Sequence, residues 1–262
     1  MTVYANDMKR NLKSLIIWSL SVGAMIMMCI AMFPGMKNET EKMGAMFSNM
    51  GSFTEAFGMD KLDFGQLMGF YGIECGNTLG IGGGMFAALA GIAALANEEK
   101  EHTAEFLLTH PVSRGSVIIQ KLLAALSEVL VLNVFVTAVS LVTAAAVGES
   151  FDMESFALIH IAFLVLQVEI CCIAFGISAF IRRGSLGIGL GLALAMYFLN
   201  LLCNMSDKAE FLKFITPYAY AEPSNIIADK EIDGTLMLVG ACIAAVGAVT
   251  AFVKYSRKDI AS

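Results

Sequence analysis

The sequence predicts an all-α polytopic membrane protein. Six transmembrane helices form one domain over residues 1–262, with an interfacial helix before the first and a charged helix between the second and third. Three observations predict this. Hydrophobic residues make up 57% of the 262 and charged residues only 15%, where soluble domains carry about 25% charged residues. Mean hydropathy is +0.72. The apolar residues also gather in long runs, and about 20 helical residues cross ~30 Å of hydrocarbon. Helices are required because lipid offers no partner to an unpaired backbone group.

The elements follow in order. Over residues 3–13, Tyr4, Met8, Leu12 and Leu15 recur at helical spacing, with Lys9, Arg10 and Lys13 on other faces. That pattern predicts a helix lying in the membrane interface. Span one covers 14–33, with Pro34-Gly35 expected to stop it. It is expected to be retained, because the segment before it is polar and no cleavage site follows. Spans two to six cover 71–96, 117–147, 156–181, 184–203 and 236–253. Arg182-Arg183 end the fourth, and Lys254, Arg257 and Lys258 follow the sixth. Connections 37–64 and 204–234 are too short for separate domains. The second holds FITPYAYAEPSNIIAD, which reads as an interfacial segment with an aromatic belt. The alternative is a lid or re-entrant segment over a path through the bundle.

Lysine and arginine set the expected orientation. With both termini in the cytoplasm of a plasma-membrane protein, 11 of the 17 basic residues lie inside. The outer connections then hold 6 basic and 14 acidic residues. The charged insert after span two is therefore cytoplasmic.

Small residues recur every four positions at Gly72, Gly76, Gly80 and Gly84, and again at Gly187 and Gly191. This spacing lets helices approach backbone to backbone, within the chain or at a subunit interface. Three carboxylates interrupt apolar runs: Glu74 near an outer end, and Glu128 and Glu169 further in. Glu128 lies 14 positions from Arg114 and Glu169 lies 13 from Arg182, about 20 Å in each case. Their similar depth permits a pair across spans three and four, with Lys121 a candidate partner for Glu128. Intramembrane ionisable groups face a bundle interior or water, so Glu128, Glu169 and Lys121 are candidates for a translocation path, the other reading being structural hydrogen bonding. His160 is expected at the outer interface. The six cysteines lack metal-ligand spacing and are expected to act as small hydrophobes. No catalytic, metal or cofactor-binding residue is predicted. The chain has no Gly-Lys dipeptide, hence no phosphate-binding loop, and no H-E-x-x-H or G-x-S-x-G. No basic stripe with aromatics points to nucleic acid. Gly82-Gly83-Gly84 falls inside a span and cannot cradle a phosphate.

The insert reads NEEKEHTAEFLLTHPVSR from Asn97 to Arg114. Asn97 can cap a helix over 98–110 whose first turn holds Glu98, Glu99 and Glu101, which suits the positive end of a helix. The helix is expected to end at His110, before Pro111. Ser113 or Ser116 can cap the next one. Phe106, Leu107 and Leu108 are large apolar residues of the kind that dock into a partner's groove.

These residues resemble the cytoplasmic segment of type-two ABC exporter permeases. That family shows an acidic residue, a Gly-Thr pair, a second acidic residue, paired leucines, Pro-Val-Ser-Arg and a downstream lysine. The pattern maps onto Glu101, Thr103, Glu105, Leu107, Leu108, Pro111, Val112, Ser113, Arg114 and Lys121, with His102 in the usual glycine position. The resemblance implies that 98–110 is a coupling helix seated in a separate ATPase subunit through Glu98, Glu101, Thr103, Glu105, Phe106, Leu107, Leu108, Pro111 and Arg114. It implies two ATPase copies and a second permease subunit, with ATP and Mg bound on the partner chain and no ATP hydrolysis by this one. Related small permeases export amphipathic peptides, toxins or drugs. Two other readings of the residues are a secondary transporter driven by protons through Glu128 and Glu169, and a membrane-embedded immunity protein that binds a toxin.

Overall fold

Long runs of apolar residues, free of proline before the last turn, become long helices. The computed structural model describes residues 2–37, 54, 59, 61–100, 113–181 and 186–256. Helix α1 is Thr2–Met36. Helix α2 is built of Leu67–Phe70, a π-helical turn Tyr71–Cys75, and Gly76–Lys100. Helices α3 (Arg114–Ala146), α4 (Met153–Ser178) and α5 (Leu186–Met205) follow. A 3-10 helix, Asp207–Phe214, and the short α6, Pro223–Asp229, lead to α7, Gly234–Ser256. Six of these, α1 to α5 and α7, are long and apolar enough to cross a membrane.

Residues 3–13 are not a separate interfacial helix. They are the first turns of α1, which continues through Pro34, and Lys37 N still donates to Phe33 O at 2.9 Å. Proline breaks a helix by lacking a donor and crowding the preceding turn, and a proline in the last turn has little helix left to break. Nor does Asn97 start a new helix, since α2 runs through it to Lys100. Ser113 does cap α3, accepting from Ser116 N at 3.3 Å.

Helices α1 and α3 run parallel, side by side. Tyr4 Oη donates to Ser127 Oγ at 3.1 Å near one end, and Lys37 Nζ meets Glu149 at 2.8 Å at the other. At 35 and 33 residues they are each about 50 Å long, some 20 Å more than the hydrocarbon. The excess lies at the end holding Thr2 and Ser256, where Arg114 donates to Ser256 O at 3.4 Å. We call this the terminal end and the opposite one the far end.

Helices α2 and α4 form the centre, with 67% and 61% of their most apolar stretches buried, against 17% for α7. Glycines bring these backbones together. A Cβ on Gly91 would meet Cys171 O of α4, and one on Gly176 would lie 2.8 Å from Gly247 O of α7. The four predicted packing glycines of α2 face inward, toward Pro223 and Ile227 (Gly72), Pro223 and Phe163 (Gly76), Phe163 and Tyr218 (Gly80), and Tyr218 and Ile170 (Gly84). The α5 pair behaves differently. Gly187 is exposed and a Cβ on Gly191 would meet nothing within 4 Å, while one on Gly189 would lie 3.2 Å from Ala88 O.

Candidate functional site

The connection from α5 to α7 does not stay at the far surface. Its sequence forces this, because the Pro-Tyr-Ala-Tyr-Ala-Glu-Pro run cannot form a long helix and carries large side chains that need burial. Thr216 Oγ1 donates to Met196 O at 2.8 Å, turning the chain inward beside α5. Tyr218 and Tyr220 are then buried, at 5% and 3% exposed. Tyr218 Oη donates to Gly80 O at 3.0 Å, and a Cβ on Gly84 would collide with that hydroxyl. The chain leaves through Glu222, whose Oε2 accepts from Asn200 Nδ2 at 3.0 Å and Asn204 Nδ2 at 3.1 Å. Pro223 then lies over Gly76. Tyr218 and Tyr220 therefore face helices while Phe214 stays exposed, and the segment enters the bundle rather than lying wholly on its surface; we call it re-entrant in that sense.

Glu169 lies beneath it. Tyr220 Oη donates to Glu169 Oε2 at 3.1 Å, and Glu169 is 2% exposed. It lies 16 positions beyond Met153, about 24 Å along α4 from the far end. Helix α7 leaves room for it, since a Cβ on Gly240 would fall on Glu169 Oε2. Three elements therefore meet at one carboxyl: α4 supplies it, the re-entrant segment supplies a donor, and α7 supplies a gap.

Glu128 is placed otherwise. Its Oε1 accepts from Asn11 Nδ2 of α1 at 2.8 Å. The pairing with Glu169 that equal depth would permit does not form. Lys121 does not pair with Glu128 either; its Nζ meets Asp7 Oδ2 at 3.0 Å, with both side chains at most 5% exposed. Arg10 lies 3.4 Å from the other Asp7 oxygen. The reason is geometric. Near the terminal end α1 lies alongside α3, so Lys121 and Glu128 meet Asp7 and Asn11 of α1, whereas Asn133 and Thr137 further along α3 reach α4. The overhang also changes the depth of Glu128. The charge-free part of α3 is Val129–Ala146, 18 residues or about 27 Å, so Glu128 sits at the terminal-end border of the hydrocarbon.

His160 is buried rather than interfacial. Its Nε2 lies 2.8 Å from Tyr71 Oη and its Nδ1 lies 2.9 Å from Thr137 Oγ1. Tyr71, in the π-helical turn, also meets Ser140 Oγ at 3.0 Å. Glu74 points outward from the same turn. Nearer the middle, Asn133 Nδ2 donates to Gln167 Oε1 at 2.8 Å, and the Gln167 amide packs on Gly83. Gly82-Gly83-Gly84 is thus a crossing level, where α2 meets Val22 of α1, Gln167 of α4 and Tyr218 of the re-entrant segment.

At the far end an exposed clasp ties the re-entrant segment to α4. Lys230, the left-handed C-cap of α6, lies 2.9 Å from Asp152 and 3.0 Å from Glu154. The Lys230 ammonium holds the Asp152 carboxyl below its ordinary range, and the two carboxylates hold Lys230 above its own.

Of the expected coupling residues, Arg114 is described at the start of α3 and Glu98 belongs to the helical backbone of α2. Glu101, Thr103, Glu105, Phe106, Leu107, Leu108 and Pro111 lie outside the described residues. Among the described residues no group of His, Cys, Asp and Glu is arranged to hold a metal ion. The sequence reading missed Asp7, Asn11, Tyr71, Asn133, Gln167, Tyr218 and Tyr220. One signal was available for most of them, namely that each is a lone polar group in an apolar run, and such groups are buried only with partners.

No curated protein matches the chain. A family model described as ABC-2 family transporter protein matches residues 1–260, from the first turns of α1 to beyond the end of α7. With six membrane-spanning helices across that same length, the chain belongs to the ABC-2 family of transporter proteins.

Proposed function

We propose that the chain is the permease subunit of an ATP-driven exporter, which works as a dimer of permeases with two copies of a separate ATPase. The observation that carries this is family membership over residues 1–260 in a chain with no phosphate-binding loop. The terminal end faces the cytoplasm, as the 11 basic residues on that side favour. Residues 98–110 act as the coupling helix. Phe106, Leu107 and Leu108 anchor it in the ATPase, with Glu98, Glu101, Thr103, Glu105, Pro111 and Arg114 around them. Large apolar anchors dominate such contacts. Movement of this segment passes into α3, because Ser113 and Arg114 begin that helix directly after it. Lys121 and Glu128 then carry it to α1 through Asp7 and Asn11. Glu169 lines the path, and the cargo is an amphipathic or hydrophobic peptide, toxin or drug.

The test is copurification with an ABC ATPase from the same genome. Leu107→Asp puts a charge into an apolar contact and abolishes capture, while Glu101→Ala leaves it largely intact. Both variants stay monodisperse in detergent, because the substitutions lie outside the spans. The purified chain alone hydrolyses no ATP. Full ATPase capture by Leu107→Asp removes the coupling role from this segment, and robust hydrolysis by the isolated chain removes the subunit reading.

A further inference from the structure

Glu169 differs from the other buried charged groups in where its hydrogen-bond donor comes from. Asp7 and Lys121, and Asn11 and Glu128, join two long parallel helices. The donor to Glu169 is Tyr220, from a segment built of a 3-10 helix, turns and a seven-residue helix. Tyr218, Tyr220 and Ile226 of the segment are buried, but it is no part of the six long helices, so its withdrawal leaves their backbone ladders intact. The described polar contacts seating it include Thr216 on Met196 O, Tyr218 on Gly80 O, Tyr220 on Glu169, Glu222 with Asn200 and Asn204, Asn225 with Lys61, and Lys230 with Asp152 and Glu154. Gly76, Gly84 and Gly240 shape its seat by omission of side chains.

We propose that Glu169 is the cargo-recognition residue of the path. In the closed bundle Tyr220 holds the place that an ammonium or guanidinium group of the cargo takes in transit. This rests on the exporter reading and names the substrate class. If the segment withdraws, Glu169 loses the Tyr220 hydroxyl and stands in an apolar bundle about 24 Å from the far end of α4. An unpaired carboxylate there is strongly unfavourable. Whatever opens the segment must supply a donor in exchange. A hydrocarbon chain supplies none, and a cationic amphipath supplies both a donor and a counter-charge. The missing side chain at Gly240 lets α7 close over the carboxyl without displacing it. The far-end connections carry 14 acidic residues against 6 basic, which draws a cation onward. Glu128 has no such role, because its donor Asn11 belongs to a helix packed along the full length of α3.

The experiment uses the full chain in phosphatidylcholine nanodiscs, with no ATPase. The probes are a dansyl-labelled decylammonium and its N-acetylated twin, which share length and apolarity and differ in charge. Binding is read from dansyl fluorescence. The ammonium probe is expected to bind wild type at least tenfold more tightly than the twin. Glu169→Gln, which still accepts the Tyr220 hydrogen bond, is expected to abolish that preference without lowering the unfolding temperature. Tyr220→Phe is expected to tighten ammonium binding several-fold by removing the competitor, and Tyr220→Ala, which empties the seat, further still. A Glu169 of merely structural importance shifts the unfolding temperature and leaves the probe ratio alone. Equal binding of the twins, a preference that persists in Glu169→Gln, or no binding of the ammonium probe by any form overturns the proposal. Loss of ATPase capture would instead strike the exporter reading, whatever the probes do.

Discussion

Glu128 and Glu169 invite comparison, because sequence position makes them look alike and the fold makes them different. Each is a single carboxylate in an apolar run, some 14 and 13 positions from an arginine. Glu128 sits on a seam between two parallel helices, at the end where both overhang the hydrocarbon, and its donor is Asn11. Glu169 sits deep in the bundle, under a re-entrant segment, and its donor is Tyr220. A polar seam between two long helices joins them into one body. A lone polar contact under a short irregular segment is a contact that can be exchanged. The chemistry of the carboxyl is the same; what differs is whether its partner is free to leave.

The largest expected effect lies on the seam. Lys121→Met strands Asp7 with only part of its compensation, and removing one partner of a buried pair costs about 3–5 kcal/mol. Arg10 remains beside Asp7, so the loss should fall at the low end, about 3 kcal/mol, with recovery in the Asp7→Lys, Lys121→Asp double variant. Thermal unfolding in detergent reads it. A loss as small as that of an exposed pair would show that water fills the seam.

Gly240→Ala follows. Its methyl group lands on Glu169 Oε2 and drives the carboxyl from Tyr220. Overpacking of this kind costs about 1–3 kcal/mol. Gly191→Ala is the control, since nothing lies within 4 Å, and its unfolding temperature should not fall. Equal behaviour of the two would remove the close approach of α7 to Glu169.

Deleting one donor from each carboxyl sharpens the comparison directly. Tyr220→Phe should lose about 1–1.5 kcal/mol, in the upper range for a single buried hydrogen bond, and Asn11→Ala about 0.5 kcal/mol, because water at the border can replace the amide. The reverse order would place Glu128 in the drier site.

The far-end clasp gives the smallest effect. Asp152 has its carboxyl pKa lowered in the fold, so its contribution is full above the ordinary aspartate range and is lost as pH falls through the lowered value. Lys230→Ala should therefore speed hydrogen exchange in α6 at neutral pH and change nothing in strong acid. A variant effect that survives acidification would show that Lys230 acts through something other than its pairing with these carboxylates.

The lengths of the runs made the six spans legible, and the period of the glycines made the inward face of α2 legible. Their boundaries shifted where local rules were weak. Pro34 lies too near the end of α1 to stop it, and Asn97 is a cap only if a helix starts there, which backbone continuity of α2 denies. Its distance from the end of its run puts His160 at the interface. The structure buries it because hydroxyls of Tyr71 and Thr137 meet both ring nitrogens. Tyr220 is 51 positions from Glu169, and nothing local to either residue announces the other.

By itself the sequence determined that the chain crosses a membrane, how many helices do so, and which of its residues are polar where polarity is expensive. Those follow from a constraint that acts along the chain: every backbone group in hydrocarbon must be paired within its own helix. Only the tertiary structure decided at what depth each polar residue sits and which partner it meets. Depth depends on how far a helix overhangs, and pairing depends on the rotation and register of one helix against another. Both are settled by packing many side chains at once, so Glu128 and Glu169 become distinguishable only when α1 lies along α3 and the re-entrant segment lies against α4.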